Sequence, residues 1–233
     1  MTALAFASPE RALARVGDPL RVRYFARLDG EGPVTPRYTR RWSPYRGWTF
    51  PDGVAARIQI SEGRALVEDR RYDDTGALLT AVHFTGGVPD QVVVHGWGRS
   101  ETLPTAGWEA VALPGVKLLA PAPAVELDGH WRIRGEGWRL DLDLLDAPLS
   151  LPDEVFQAEL SQSCGCSLED RHSAWIDGAW GIRYRARPDS GGLAELWVIP
   201  HGEHPLIASF FSETEALATG RALMSLVQWE EVP

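Results

Sequence analysis

Two cysteines separated by a single residue are the side chains best suited to redox or metal chemistry in this chain. Cys164 and Cys166 flank a glycine, and His172 follows six residues later. Two thiolates and an imidazole are three of the four ligands that a structural zinc site uses, and the fourth would have to come from His201 or His204. Because cytosolic disulfides are uncommon, we predict two free thiols, with a strained redox-active pair as an alternative. Because a fourth ligand would have to come from a distant strand, we predict no bound metal or other cofactor. Cys164, Cys166 and His172 are the alternative metal ligands.

Two histidines in apolar surroundings are candidates for acid–base chemistry. His83 lies in the sequence Val-His-Phe and His95 in Val-His-Gly, both typical of strands. Such a histidine is either a hydrogen-bonded core residue or a general base inside a pocket. If the protein is an enzyme, we expect its catalytic residues to be His83, His95 and Glu109. The sequence lacks the GxSxG and HExxH motifs and a glycine-rich phosphate loop, so we favour a protein without catalytic activity.

The most distinctive segment interleaves arginine with aromatic residues between positions 37 and 48. Such side chains anchor many protein interfaces, and they can also stack on the bases and contact the phosphates of single-stranded nucleic acid. The residues that we predict to bind a partner or ligand are Arg37, Tyr38, Arg40, Arg41, Trp42, Tyr45, Arg46 and Trp48. The leading hypothesis is a non-catalytic binding or interaction protein that recognises a protein partner or a small apolar or aromatic ligand through this surface. The structural alternative is a loop whose arginines stack on its own rings.

Charge is distributed unevenly along the chain, whose formal net charge is −9. Residues 1–113 hold 14 basic and 13 acidic side chains, a sum of +1, whereas residues 114–233 hold 9 and 19, a sum of −10. The whole chain should repel polyanions, although residues 11–46, with nine arginines and three acidic side chains, could attract them. Single-stranded nucleic acid is therefore an alternative partner that we rank below a protein or a small ligand.

Several strand-like segments carry charged residues at alternate positions. Arg132 and Arg134 could together bind an anion, and three arginines in the segment 183–187 have the same spacing. More often such a row is a solvated strand face whose arginines pair with acidic residues on the neighbouring strand, and this is our prediction. Asp141 and Asp143 alternate with leucines and are predicted to be solvated as well.

The ten tryptophans admit two interpretations. Four of them follow a glycine, namely Trp48, Trp97, Trp108 and Trp138. A tryptophan packed across a glycine is a common way to fill a β-rich core, and this is the interpretation that we favour. Alternatively, several tryptophans line a pocket for an apolar, aromatic or sugar ligand.

Alternating hydrophobicity and turn residues predict a β-rich fold. A three-stranded meander is expected over Val54–Ile60, Ala65–Tyr72 and Ala77–Phe84. Asp128-Gly129 and Asp177-Gly178 are predicted hairpin turns, because these residues tolerate positive φ. Further strands are predicted at Gln91–His95, Glu109–Leu113, Val125–Leu127, Trp131–Arg134, Trp138–Leu144, Ile182–Arg187, Leu193–Ile199 and Leu206–Phe211.

Two helices are predicted, one near each end of the chain. A short helix is expected over Glu10–Val16. Ser212 and Glu215 form a capping box for a helix over residues 213–228. Gly220 lies in the middle of that helix, where glycine is destabilising, so we expect the helix to approach a sheet closely there.

These elements predict a mainly β fold, an antiparallel barrel or sandwich of hairpins and meanders with a C-terminal helix packed on the sheet. The proline-rich segment 114–123 coincides with the change in charge. It is a possible boundary between a first half, 1–113, which contains the basic and aromatic segment 37–50, and an acidic second half, 124–233; a single domain is nearly as consistent with the sequence. A barrel with a packed C-terminal helix resembles the lipocalin layout. That resemblance implies the alternative function of a cyclase, isomerase or hydrolase with a tryptophan-lined cavity.

Composition excludes several classes of protein. Apolar residues make up 44% of the chain and charged residues 24%, which is typical of a folded globular protein and not of a disordered one. No apolar run approaches the roughly 20 residues of a transmembrane helix, so we expect no membrane insertion. Two cysteines are too few for a disulfide-rich scaffold, and residues 1–9 do not resemble a signal peptide. The expected location is the cytoplasm.

Overall fold

A computed structural model describes residues 45–49, 55–62, 64–96, 99–145, 154–200, 205–214 and 217–229; of residues 45–49 and 55 only the backbone is described. The chain divides into two compact units, Met1–Ala106 and Gly107–Pro233. The helix predicted over Glu10–Val16 lies outside the described residues. The segment 114–123 lies within the second unit, and a domain boundary there stays a prediction.

The described part of the first unit is a six-stranded antiparallel meander in which each strand pairs with the next along the chain. Its strands are β1 (Tyr45–Thr49), β2 (Ala55–Glu62), β3 (Ala65–Tyr72), β4 (Leu78–Thr85), β5 (Val88–Gly96) and β6 (Arg99–Pro104). The three-stranded meander predicted over residues 54–84 is confirmed, and the strand predicted at Gln91–His95 continues it as part of β5.

The second unit contains two further antiparallel sheets. Its strands are β7 (Glu109–Leu113), β8 (Val116–Ala120), β9 (Val125–Leu127), β10 (His130–Gly135), β11 (Trp138–Leu144), β12 (Cys166–Ile176), β13 (Ala179–Pro188), β14 (Leu193–Ile199), β15 (Leu206–Ser212) and β16 (Gln228–Trp229). Seven of them form a sheet in the order β12-β13-β14-β15-β11-β10-β9, and the other three form a sheet in the order β16-β8-β7. Within the described residues none of the three sheets closes on itself. The fold is therefore mainly β, with antiparallel sheets.

Turn chemistry explains where the strands reverse. The Asp73 carboxylate accepts hydrogen bonds from the backbone N–H groups of Thr75 and Ala77, at 3.0 and 2.9 Å. In the second unit, both residues of Asp128-Gly129 and of Asp177-Gly178 have positive φ. These two hairpin turns confirm the prediction from the sequence, because positive φ at both central residues matches the twist of the flanking strands.

The C-terminal helix is confirmed, but it is shorter than the predicted range 213–228. The helix α2 spans Ala218–Ser225, and its N-cap is Leu217, which makes no side-chain capping bond. The predicted capping box is wrong, because Ser212 is the last residue of β15 and pairs with Trp138 on β11. Ser212, which the capping pattern assigned to the helix, therefore pairs within the sheet instead. No helix of the described chain is both long enough and apolar enough to span a membrane.

The two faces of the seven-stranded sheet pack against different elements. On one face, Leu140 and Phe210 belong to a buried cluster with Leu118 of β8 and Leu223 of α2. On the other face, residues of β13 and β14 pack against the helix α1 (Glu154–Cys164), whose one buried residue is Leu160. The sequence patterns did not predict α1, although Phe156, Leu160 and Cys164 recur at four-residue spacing and all belong to this cluster or pack against it. The seven-stranded sheet is thus the middle layer of the second unit.

Gly220 brings α2 against the sheet, as the sequence predicted. A Cβ atom built on Gly220 would lie 2.4 Å from the ring of Phe210 on β15. Any larger residue would have to push the helix or the ring away. Gly220 lowers the intrinsic stability of α2, but it allows the close contact with Phe210 that positions the helix on the sheet.

The edge strand β12 contains a bulge between Leu168 and Arg171. Glu169 lies within this bulge and accepts hydrogen bonds from Arg185 at 3.1 Å and from Arg187 at 2.7 Å. These two arginines form the charge-paired strand face that their spacing predicted.

Candidate functional site

A cleft lies at one end of the seven-stranded sheet, where three chain connections meet. They are the β10–β11 turn at Glu136-Gly137, the β13–β14 turn at residues 189–192, and the segment Ser212-Glu213 at the end of β15. The strands β13, β14, β15, β11 and β10 are consecutive in the sheet, and their antiparallel pairing brings these connections to the same end. Segments distant in sequence thereby become neighbours.

The cleft has a volume of about 580 Å³. Small-molecule sites in proteins typically have volumes of roughly 300–1,000 Å³. Its walls combine apolar side chains, two guanidinium groups and glycine backbone. The side chains that line it include Arg134, Trp138, Arg139, Pro188, Leu193 and Phe211.

Backbone hydrogen bonds hold the three connections in place. The N–H of Glu213 donates to the carbonyl of Gly137 at 3.0 Å, which joins the end of β15 to the β10–β11 turn. The N–H of Asp189 donates to the carbonyl of Gly165 at 2.9 Å, which joins the β13–β14 turn to the end of α1. These bonds link the turns that form the walls of the cleft to the rest of the second unit.

Two glycines allow the walls to approach closely. Gly192 has a φ of +83°, and a Cβ atom there would lie 2.4 Å from the carbonyl oxygen of Ser212. A Cβ atom on Gly135 would lie 2.2 Å from the indole of Trp138. Trp138 also stacks on Phe210, with ring centroids 5.7 Å apart. The indole therefore connects the wall of the cleft to the core.

Arg134 and Arg139 occupy directly opposed positions on β10 and β11. Like charges at opposed positions destabilise an antiparallel pair. The Arg139 guanidinium lies over the Phe211 ring, 4.2 Å from its centroid, and its Nε is 3.4 Å from Oδ2 of Asp141. Arg134 is exposed, and within the described part of the chain it makes no ion pair. The cleft is thus a site of excess positive charge in an acidic half of the chain.

The next cross-strand pair on this face is matched in charge. Arg132 is opposite Asp141, with its Nε 2.5 Å from Oδ1 and its Nη2 3.0 Å from Oδ2. The hydrogen bond to Asp141 raises the pKa of Arg132 above its ordinary value. The prediction that Asp141 is solvated is wrong, because this residue is buried. The ion pair with Arg132 offsets the cost of burying its charge. Burial raises the pKa of half-buried Asp143, and the charge of nearby His130 opposes that shift.

A second group of arginines lies between α2 and the seven-stranded sheet. Glu195 on β14 is 1% exposed and accepts hydrogen bonds from Nη1 of Arg183 at 2.8 Å and from Nε of Arg221 at 3.0 Å. The prediction of a solvated face is wrong for Arg183, because α2 covers this part of the sheet and supplies Arg221. Burial on its own raises the pKa of Glu195, but the charges and hydrogen bonds of the two arginines lower it overall. We call Arg183, Glu195 and Arg221 the buried triad.

Most of the predicted binding segment lies outside the described residues. This applies to Arg37, Tyr38, Arg40, Arg41 and Trp42, and also to the histidines His201 and His204. Tyr45, Arg46 and Trp48 belong to β1, for which only the backbone is described. The role of this segment in binding stays a prediction.

The two candidate catalytic histidines lie apart. His83 on β4 pairs with Gln91 on β5, and His95 is four residues further along β5, which corresponds to about 13 Å at the usual rise per residue. The Nδ1 atom of His95 is 2.8 Å from Oγ of Ser100. Glu109 is exposed on β7 and belongs to the other unit. Catalytic roles for these residues stay predictions.

Cys164 and Cys166 form a disulfide, so the prediction of free thiols is wrong. Cys164 ends α1 and Cys166 begins β12, and the glycine between them has a φ of +57°, which turns the chain between the two residues. Bridged sulfur atoms are not available as thiolate ligands, and His172 lies further along β12. Among the described residues, no group of three or more His, Cys, Asp or Glu side chains could hold a metal ion.

Several described tryptophans belong to the core. Trp197 is buried in the main cluster, and Trp108, Trp131, Trp138 and Trp229 pack against the same cluster. The core interpretation is confirmed for these five residues, and Trp138 in addition lines the cleft.

No protein-family model and no curated protein matches this chain. The cleft is therefore the basis for a functional proposal. Sequence reasoning identified Arg134 as a possible anion ligand but paired it with Arg132, and it missed Arg139 and Phe211. One signal could have found Arg139: Arg134 and Arg139 are equidistant from Glu136-Gly137, so a two-residue hairpin turn there places them opposite each other.

Proposed function

We propose that this protein binds a small ligand in the cleft at the end of the seven-stranded sheet and does not transform it. The observation that carries the proposal is the cleft itself, with its volume of about 580 Å³ and its lining of Trp138, Phe211 and Leu193. These side chains are the apolar part of a lining whose exposed surface is otherwise mostly polar, and sites of this volume commonly combine apolar surface with converging polar groups.

The supporting structure favours recognition. The cleft is built from turns that backbone hydrogen bonds fix to a large sheet, and such loops on a rigid scaffold commonly carry binding residues. Among the described residues, neither a histidine nor a cysteine lines the cleft. The imidazole or thiol that most often serves as general base or nucleophile is therefore absent from this described lining, and its carboxylate, Glu213, is exposed to solvent.

As expected from the sequence, the proposed function is non-catalytic binding, but the proposed site is now the cleft and not the segment 37–48. Recognition of a protein partner through residues 37–48, binding of single-stranded nucleic acid and a lipocalin-like enzyme stay hypotheses. The barrel or sandwich arrangement of the sheets also stays a prediction.

The proposal is tested with N-phenylnaphthylamine, an uncharged aromatic probe whose fluorescence increases when it leaves water. The wild-type protein should bind it saturably. Ser190→Phe, which places a ring at the lining of the cleft, should weaken binding by at least about fivefold, the equivalent of about 1 kcal/mol. The matched control is Ser163→Phe at an exposed position on α1, which should bind like the wild type. Non-saturable binding, or equal affinity for all three proteins, would exclude the cleft as the site.

A further inference from the structure

We infer that the ligand of the cleft is a small organic anion, an apolar planar molecule with one carboxylate, sulfonate or phosphate group that binds between Arg134 and Arg139. This inference rests on the proposed function and specifies the chemistry of its ligand.

Arg134 and Arg139 repel each other, and Asp141 only partly compensates this repulsion. The two residues are directly opposed on β10 and β11, and both line the cleft. Arginine does not lose its proton in proteins, so the pair cannot relieve the repulsion by titration. An anion between the two guanidinium groups would replace repulsion with two charge-assisted, bidentate contacts.

Two other pairs of arginines in the second unit each share a carboxylate. Arg183 and Arg221 share the carboxylate of Glu195, and Arg185 and Arg187 share that of Glu169. In both cases an acidic side chain lies between the two positive charges. At the cleft, the described residues offer Arg134 no such partner. An anion from solution would occupy the corresponding position.

Two contacts restrict the Arg139 side chain. Asp141 lies 3.4 Å from its Nε, and the Phe211 ring packs against the guanidinium. Asp141 is itself engaged by Arg132 in two shorter hydrogen bonds, so it only partly compensates Arg139. Arg139 is therefore an oriented cation that needs little reordering when an anion binds, and less entropy is lost than for a free side chain.

The remaining walls restrict the ligand further. Trp138, Leu193 and Pro188 provide apolar surface for a ring system beside the arginines. Glu213 also lines the cleft, and a second anionic group elsewhere on the ligand, near this carboxylate, would be repelled. The site therefore fits a molecule with a single anionic end.

The test compares two probes of nearly the same shape, anilinonaphthalenesulfonate, which carries one negative charge, and N-phenylnaphthylamine, which carries none. The wild-type protein should bind the sulfonate more tightly. Arg134→Gln should weaken sulfonate binding by about tenfold, as expected for loss of one charged contact, and leave the affinity for the neutral probe unchanged. The matched control is Arg171→Gln at an exposed position on β12, which should change neither affinity.

The outcomes separate the two proposals. If the neutral probe binds in the cleft but the sulfonate binds no better and Arg134→Gln changes nothing, the protein binds small ligands and the inference about an anion is wrong. If neither probe binds, both proposals fail. Displacement of the sulfonate by naphthoate, naphthyl phosphate or inorganic phosphate identifies the preferred anionic group, and displacement by none of them would contradict the inference. Since Arg134→Gln removes a repulsion, its melting temperature should not fall; a large fall would show that Arg134 is structural.

Discussion

The buried triad and the cleft each bring two arginines of the second unit together, yet they do so in opposite ways. In the triad, Glu195 lies between Arg183 and Arg221, and all its partners come from the chain itself. In the cleft, Arg134 and Arg139 are opposed without a carboxylate of the described chain between them. The triad is a completed charge cluster that joins β13, β14 and α2. The cleft pair has two arginines but shares no carboxylate among the described residues, and the proposal of a binding site is based on this difference.

Removal of the central carboxylate should have the largest effect. Glu195→Gln removes the buried carboxylate that the Arg183 and Arg221 guanidinium groups share and should lower the free energy of unfolding by about 3–5 kcal/mol. Urea denaturation followed by tryptophan fluorescence measures this change. The matched control is Glu213→Gln at the exposed rim of the cleft, which should change stability by no more than about 0.5 kcal/mol. Equal effects of the two substitutions would contradict the distinction between the clusters.

The next effect tests how the triad is assembled. Gly220 precedes Arg221 and lets α2 lie close enough to β15 for that arginine to reach Glu195. Gly220→Ala should destabilise the protein by about 1–3 kcal/mol through overpacking against Phe210, although alanine is the better helix former. Thr219→Ala at the neighbouring, partly exposed position is the control and should be nearly neutral. A stabilising effect of Gly220→Ala would show that the helix is free to shift.

A smaller effect should appear in the pH dependence of stability. The two arginines lower the pKa of Glu195 in the folded protein below its ordinary value of 4.5. At a pH below about 4.5 the unfolded chain takes up a proton on this residue before the folded protein does, so this contribution to stability is lost as the pH falls. Unfolding titrations between neutral and acidic pH should show a shallower decline for Glu195→Gln than for the wild type. Parallel curves would contradict the assigned role of Glu195.

The smallest effect concerns the open pair. Sulfate is a simple anion that the cleft could hold, and binding to the folded state raises the melting temperature. The wild type should gain more thermal stability from sulfate than Arg134→Gln does, by about 1–2 °C, whereas Arg171→Gln should respond like the wild type. Use of all three proteins separates the site from the general stabilisation by this salt. An identical response of all three would count against anion binding at the cleft.

The same contrast explains what the sequence could reveal. Strand periodicity and Asp-Gly turns placed most strands of both units, because these signals are local. The burial of Arg183 could not be predicted from local patterns. It depends on α2, which carries Arg221 and follows Arg183 by nearly 40 residues in the sequence. Ser212 was assigned to a helix cap because its three-residue spacing from Glu215 fits one, but its pairing partners lie on strands distant in sequence. The disulfide was missed because the prediction of free thiols relied on the assumed cellular compartment, although Gly165 permits the turn that the bridge needs.

The candidate site was only partly accessible for the same reason. Arg134 and Trp138 attracted attention by their type and position, but the cleft also needs the β13–β14 turn and the end of β15. Their adjacency follows from strand order, which a pattern of hydrophobic residues does not specify.

The bulge in β12 has a consequence for the protein at high concentration. An edge strand of eleven residues exposes backbone N–H and C=O groups that a second molecule could pair with, which is a route to self-association and aggregation. The bulge between Leu168 and Arg171 interrupts that row, and the charged residues Glu169, Asp170 and Arg171 are exposed along it. Charged residues and bulges on edge strands oppose the addition of another strand. The bulge in β12 thus helps to prevent a second molecule from pairing with this edge of the sheet.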